Sequence, residues 1–305
     1  MKLKLDTLQF VVANPCYEWC KYGVRDPSVL LDPFGKPVVD QDGCMTLYFN
    51  GRNRSIADGG TTAVGMAVGN PIKGWRIFER PVFSDGLYAA QGSVISLPNG
   101  LYIMYYSPNT ARGFFFALSR NLVDWERSVD DLLLCCNQFR VSRMGLPYVT
   151  WVKDRWHMVF EGIRDGKFRI FMAASSNGID WEPLFDGEPI YDSRGSWDSF
   201  GQANPSLYYI NRGTQEKFVI LYNGCSEKNG WELGCLTAQS PAGPWVADEI
   251  PFLRRDQLGK WAAGRLEGPR YVVNQSAAQL YFFGLPSDDS YSGGSVACVH
   301  IGEGI

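Results

Sequence analysis

A short unit recurs along the chain, and its recurrence limits the possible folds more than any other property. Each copy opens on a brief apolar run, usually straight after a proline. The openings are Pro27-Ser28-Val29-Leu30-Leu31, Leu146-Pro147-Tyr148-Val149, Asn204-Pro205-Ser206-Leu207 and Glu267-Gly268-Pro269-Arg270-Tyr271-Val272, with Gly92-Ser93-Val94-Ile95 as the copy that lacks proline. An aromatic-rich run follows, for example Leu101-Tyr102-Ile103-Met104-Tyr105-Tyr106-Ser107 or Phe218-Val219-Ile220-Leu221-Tyr222-Asn223-Gly224. A third run comes next, such as Arg169-Ile170-Phe171-Met172-Ala173-Ala174-Ser175. Four copies close on a tryptophan, at Trp75, Trp125, Trp181 and Trp245, spaced by 50, 56 and 64 residues. Short runs rich in β-branched and aromatic side chains and bounded by Gly, Pro and Asn read as strands. Helical periodicity is nearly absent.

Three strong strands with a fourth, outer strand at the tryptophan, in five copies, describe an all-β, five-bladed β-propeller. Two packed sandwiches would not repeat strand order with closing tryptophans. The period exceeds the roughly 40–45 residues of WD40 blades. The reading is a single domain, 1–305, with blades at about 13–80, 81–135, 136–190, 191–255 and 256–305. The run from Leu5 to Val12 is expected to supply the outer strand that closes the ring. A length of 305 residues, with 45% hydrophobic and 20% charged residues, suits one globular unit.

Charge and cysteine content exclude several functions. A net charge of −3, without a Lys/Arg run, gives no footprint for nucleic acid. The longest apolar runs fall short of a membrane span, and Met1-Lys2-Leu3-Lys4-Leu5-Asp6 lacks the apolar core of a leader. The eight cysteines form no CxxC pair and only two histidines occur, so neither a metal nor another cofactor is expected. Cys235 and Cys298 fall in strand patterns as buried thiols. The expectation is a reduced, cytoplasmic protein.

Arg25-Asp26-Pro27 stands at the first strand opening. A residue before proline is pushed toward extended geometry, and proline is tolerated at the start of a strand. Asp26 is therefore expected to be extended at the strand mouth, with its carboxylate free.

These blades resemble the five-bladed propeller glycosidases of glycoside hydrolase families 43, 32, 68 and 130. The resemblance is clearest at Ala117-Leu118-Ser119-Arg120-Asn121-Leu122-Val123-Asp124-Trp125, at Ala173-Ala174-Ser175-Ser176-Asn177-Gly178-Ile179-Asp180-Trp181, and from Gly195-Ser196-Trp197-Asp198-Ser199 to Asn204-Pro205-Ser206-Leu207. It covers nearly the whole chain and is more specific for fold than for reaction. Family 43 implies a general-base Asp in blade one, which Asp26 matches, a pKa-tuning Asp in blade three, and a general-acid Glu in a Glu-Gly-Pro motif in blade four. Leu146 and Ala203 stand at the latter two positions, while Glu267-Gly268-Pro269 appears one blade later.

In a closed ring, blade five touches blade one. Asp26 and Glu267 become neighbours there although 241 residues separate them in sequence (26 to 267). Two carboxyls flanking a glycosidic bond are the minimum for acid/base cleavage, and one of them must stay protonated. Asp26 as base and Glu267 as acid, with inversion, is the reading adopted; a salt bridge from Glu267 to Arg25 or Arg265 is the structural alternative. Glu161, at the end of the second strand of blade three, is a third catalytic candidate. The corresponding ends Asn50-Gly51, Ser107, Asn223-Gly224 and Gly284 are expected to ring the pocket. Arg25, Arg52, Arg143, Arg164, Arg265 and Arg270 fall near strand ends. Two or more of them without partners would imply an anionic ligand. Gln91, Gln202 and Asn204 are candidates to read hydroxyls, and Trp19, Tyr88, Phe139, Trp197, Phe200, Trp231 and Trp261 to wall the pocket. His157 is read as structural. The expected partner is a carbohydrate or glycoside, with phosphorolysis, another glycosyl transfer, or binding without catalysis as alternatives.

Overall fold

The computed structural model describes residues 1–14, 16–108, 112–128, 132–213, 215–226, 230–274, 277–287 and 292–303. It is a five-bladed β-propeller. The chain begins with β1 (Lys2–Val12) and then builds four blades in order. Blade one is β2 (Gly23–Val29), β3 (Met45–Arg52), β4 (Thr62–Asn70) and β5 (Gly74–Ile77). Blade two is β6 (Ala89–Ser96), β7 (Tyr102–Pro108), β8 (Gly113–Ser119) and β9 (Glu126–Arg127), with β10 (Leu134–Cys135) also on β8. Blade three is β11 (Arg143–Val152), β12 (Arg155–Arg164), β13 (Lys167–Ser175) and β14 (Trp181–Pro183). Blade four is β15 (Gly201–Arg212), β16 (Gln215–Cys225), β17 (Glu232–Ala238) and β18 (Val246–Ala247). Blade five has β19 (Arg265–Asn274), β20 (Ala277–Leu285) and β21 (Ser295–Glu303), and β1 pairs antiparallel with β21 as its outer strand. The ring is therefore closed by the segment that contains Leu5–Val12, with Val11 and Val12 in the core. Among the described residues no helix is long and apolar enough to cross a membrane.

The tryptophan signature has a local cause. In blade two, Asn121 Oδ1 accepts the N–H groups of Val123 and Asp124, and its Nδ2 donates to Asp124 Oδ2. Trp125 Nε1 then donates to Leu122 O at 3.0 Å. Blade three repeats the turn through Asn177, Asp180 and Trp181. An Asx-type turn thus hands each indole back into the core, which is why Asn-x-x-Asp-Trp marks a blade edge.

Every inner strand carries a β-bulge in which two residues oppose one. The bulged pairs are Asp26-Pro27, Gln91-Gly92, Leu146-Pro147, Asn204-Pro205 and Gly268-Pro269. The sequence expectation for Asp26 is corrected here. Its φ is 51°, in the left-handed region, and Leu146, Asn204 and Gly268 share that conformation at φ 53°, 50° and 64°. The bulge, held by pairing on both sides, overrides the local preference of a residue before proline for extended backbone.

A second correction concerns the thiols. Cys16 and Cys20, brought to a Cα separation of 6.4 Å by a short 3₁₀ turn, are joined in a disulfide rather than reduced. Cys235 and Cys298 are free and buried. His157 is buried in β12.

Candidate active site

The bulges bring five backbone N–H groups to one level around the channel. At four junctions between blades, a side chain from the end of one blade's second strand receives the N–H of the next blade's bulge. Asn50 Oδ1 accepts from Gln91 N at 3.0 Å, Ser107 Oγ from Leu146 N at 3.0 Å, Glu161 Oε2 from Asn204 N at 3.0 Å and Asn223 Oδ1 from Gly268 N at 3.3 Å. The strand register puts Phe283, not Gly284, at the corresponding position in blade five. Phenylalanine offers no acceptor, so the junction at Asp26 lacks this link.

The residues one before each bulge, and those three before it in blades two, three and five, line a central cavity of about 70 Å³. They are Arg25, Ala90, Gly145, Ala203 and Glu267 in one layer, and Tyr88, Arg143 and Arg265 in the layer above. Asp26, Glu161 and Asn204 also line it, with Phe168 and Trp231 in edge-to-face contact at 5.8 Å. Asp26, Glu161 and Glu267 are all nearly buried, at 4%, 7% and 6% exposure. The ring thus brings together three carboxyls from blades one, three and five.

Their surroundings differ. Asp26 Oδ2 accepts from Asn50 Nδ2 at 2.9 Å and lies 3.5 Å from Arg25 Nε, so its carboxylate is not free as the sequence suggests. Gln91 Nε2 donates to the Asp26 carbonyl at 2.6 Å and fixes the backbone below it. Glu267 Oε2 accepts from Asn204 Nδ2 at 3.1 Å, and Arg265 Nη1 reaches Glu267 Oε1 at 3.5 Å. Burial nonetheless pushes the Glu267 carboxyl up to about 7; Arg265 opposes the shift, and the charges of Asp26 and Glu161 add to it. Burial also raises Glu161, against the pull of Arg143 and the Asn204 N–H. One residue, Asn204, therefore bridges two carboxyls, through its backbone to Glu161 and its side chain to Glu267. Its Oδ1 is buried without a partner.

Arg25, Arg143, Arg265, Asn204, Tyr88 and Trp231 stand where the sequence places them, on the cavity. Five proposed ligand-binding residues lie elsewhere. Arg52 is buried against Thr62 Oγ1 at 3.2 Å. Gln91 is fully buried between blades one and two. Gln202 stands two before its bulge, the parity that turns into the blade, and donates to the Asp198 carbonyl. Arg164 is held by Glu188 and the Gly187 carbonyl. Trp197 stacks on Tyr222 at 6.0 Å and donates to Asp248 O. Trp19, Trp197 and Trp261 play the same structural part. Each covers a glycine at the end of its blade's second strand, Gly51, Gly224 and Gly284, where a Cβ would collide with the indole. Phe139 is core, and Phe200 is half-exposed outside the cavity. Sequence reasoning overlooked Phe168, Met144 and Phe283, whose facing depends on register, and set Asn50 on the rim of the pocket, whereas Asn50 is fully buried and is the amide that holds Asp26.

No protein-family model and no curated protein matches the chain. Solved structures do match. One belongs to the GH130 family of mannoside phosphorylases, described as containing glycoside hydrolases that target β-1,2 mannosidic linkages in Candida mannan. It has a TM-score of 0.68 at 18% identity over 92% of this chain and 85% of that one. The catalytic domain of a Coprinopsis cinerea GH62 α-L-arabinofuranosidase matches with a TM-score of 0.70 at 13% identity, over 96% of this chain and 95% of that chain. A glycosyl hydrolase from Bacteroides ovatus matches at 0.66 and 16%, over 98% and 90%. At these identities the likeness is one of fold, and it is to the glycosidase propellers that the blade pattern resembles.

Proposed function

We propose that the chain is a glycosidase-like enzyme that breaks a glycosidic bond in the central cavity, with Glu267 as general acid and Asp26 as general base. The observation that carries this reading is the unequal environment of two carboxyls on one cavity. Asp26 is held by an amide and a guanidinium, whereas Glu267 is buried until its carboxyl reaches about 7. In this reading Glu267 gives its proton to the leaving oxygen. Asp26 takes a proton from water, whose oxygen bonds to the anomeric carbon as the glycosidic bond breaks, with inversion. Glu161 adds a negative charge that helps keep Glu267 protonated. Its hydrogen bond to Asn204 N matches those of neutral Asn50, Ser107 and Asn223 at other junctions, which supports a positioning role for it. The folds of the neighbours, described as glycoside hydrolases and phosphorylases, agree with this chemistry.

A second reading rests on Arg143, which is exposed at the cavity and has no ion-pair partner among the described residues. Its fork suits an anion: an acidic sugar, or phosphate replacing water in phosphorolysis.

The test is turnover of a panel of aryl glycosides, with and without phosphate, by wild type, Glu267→Gln and Asp26→Asn. General acid/base groups contribute about 10²–10⁴-fold. The expected result is a loss of that size in Asp26→Asn on every substrate, and in Glu267→Gln only where the leaving group needs protonation, with dinitrophenyl glycosides spared. Proton NMR of the first-formed product gives the stereochemistry. Turnover only with phosphate selects the second reading, and sugar binding without turnover rejects both.

A further inference from the structure

Immediately after each bulged pair, the inner strands carry Ser28, Ser93, Tyr148, Ser206 and Arg270. Four of these are neutral and the fifth is a guanidinium at 2% exposure. Arg270 Nη1 donates to Pro269 O at 3.0 Å and to Asn204 O at 3.3 Å, and the guanidinium carbon stands 5.2 Å from the centre of the Tyr148 ring. Its Nε and Nη2 are buried and meet no acceptor. Arg270 makes no ion pair among the described residues.

Nε and Nη2 donate from the same edge of a guanidinium, the edge on which anions bind through two parallel hydrogen bonds. A buried cation without a counter-charge is strongly unfavourable. The nearby polar groups supply none. Ser206 Oγ donates to Pro269 O at 2.7 Å, and Tyr208 and Tyr148 are buried phenols kept neutral by burial.

We propose that this edge of Arg270 holds a small inorganic anion of the chloride class, in an internal site distinct from the carboxyl cavity. Arg270 does not line that cavity, and its surroundings are too buried for a sugar or an organic anion. The site does not depend on the proposed reaction.

The experiment is thermal unfolding of the whole chain at constant ionic strength, with gluconate replaced stepwise by chloride, bromide or nitrate. A ligand that binds only the folded state raises the melting temperature saturably. The expected outcome is a saturable rise with chloride and bromide that is lost in Arg270→Met. A bromide-soaked crystal should show an anomalous peak at Nε and Nη2 of Arg270, which decides the matter if the variant does not fold. A linear salt response identical in wild type and variant, a saturable response to nitrate alone, or water at that edge with no bromide peak would each overturn the proposal.

Discussion

Glu267 joins the chemistry of the site to the stability of the fold. Its ordinary carboxyl value of 4.5 rises to about 7 in the folded chain. A carboxyl raised on folding favours the native state while protonated, and that contribution fades as pH climbs from about 4.5 through 7. The difference corresponds to roughly 3 kcal/mol. Glu267→Gln should therefore lose activity on substrates with poor leaving groups yet lose less stability than wild type between pH 5 and 8, as chemical denaturation at both pH values will measure. Glu161→Gln keeps an acceptor for Asn204 N while removing a like charge beside Glu267. The basic limb of its pH–rate profile should shift to lower pH with the fold intact; a loss of 100-fold or more at every pH would instead make Glu161 a direct participant. Asp26 and Glu267 were legible in sequence because both stand at proline-marked strand openings, Asp26 directly before Pro27 and Glu267 in Glu267-Gly268-Pro269. The part played by Asn50 was not, since its contact with Asp26 depends on the bulged β2–β3 register within blade one.

At the scale of the strand, the bulge decides which side chains reach the cavity. Arg143 and Arg265, three residues before their bulges, meet the site, whereas Gln202, two before its own, turns into the blade; Met144 is the even-offset residue that still reaches the cavity wall. Sequence reasoning located the strand openings through proline but not the two-against-one pairing that sets this parity. In blade two, glycine stands where the other blades have proline. A Cβ on Gly92 would lie 2.2 Å from the Pro147 carbonyl oxygen of blade three, a backbone atom with little freedom to yield. Gly92→Ala should cost roughly 2–3 kcal/mol, measured as a lower urea midpoint with unchanged slope. An unchanged midpoint would mean that the two blades have room for the added methyl.

The whole molecule depends on β1. Blade number and the closing strand were readable from the repeat itself, because four tryptophan-closed units left one unit lacking an outer strand. Removing residues 1–12 takes two fully packed valines from the core and bares the edge of β21. Each buried valine contributes about 1.5–3 kcal/mol, so the truncated chain should melt roughly 10 °C lower. A melting temperature within about two or three degrees of the full chain, on the same scale, would show that the ring does not need this closure.

The junction at Asp26, with Phe283 where the other junctions have an acceptor, also gives the protein a built-in order of events. Asp26 is made well before Glu267, which lies in the last blade, so the proposed catalytic pair comes into being only when that blade docks on the first. Contacts this distant in sequence form late and slowly. A ribosome-bound chain with four finished blades would carry half of the pair and no chemistry. Recovery of turnover during refolding would therefore time the final docking step rather than the formation of the sheets, and would lag behind the return of β-sheet circular dichroism.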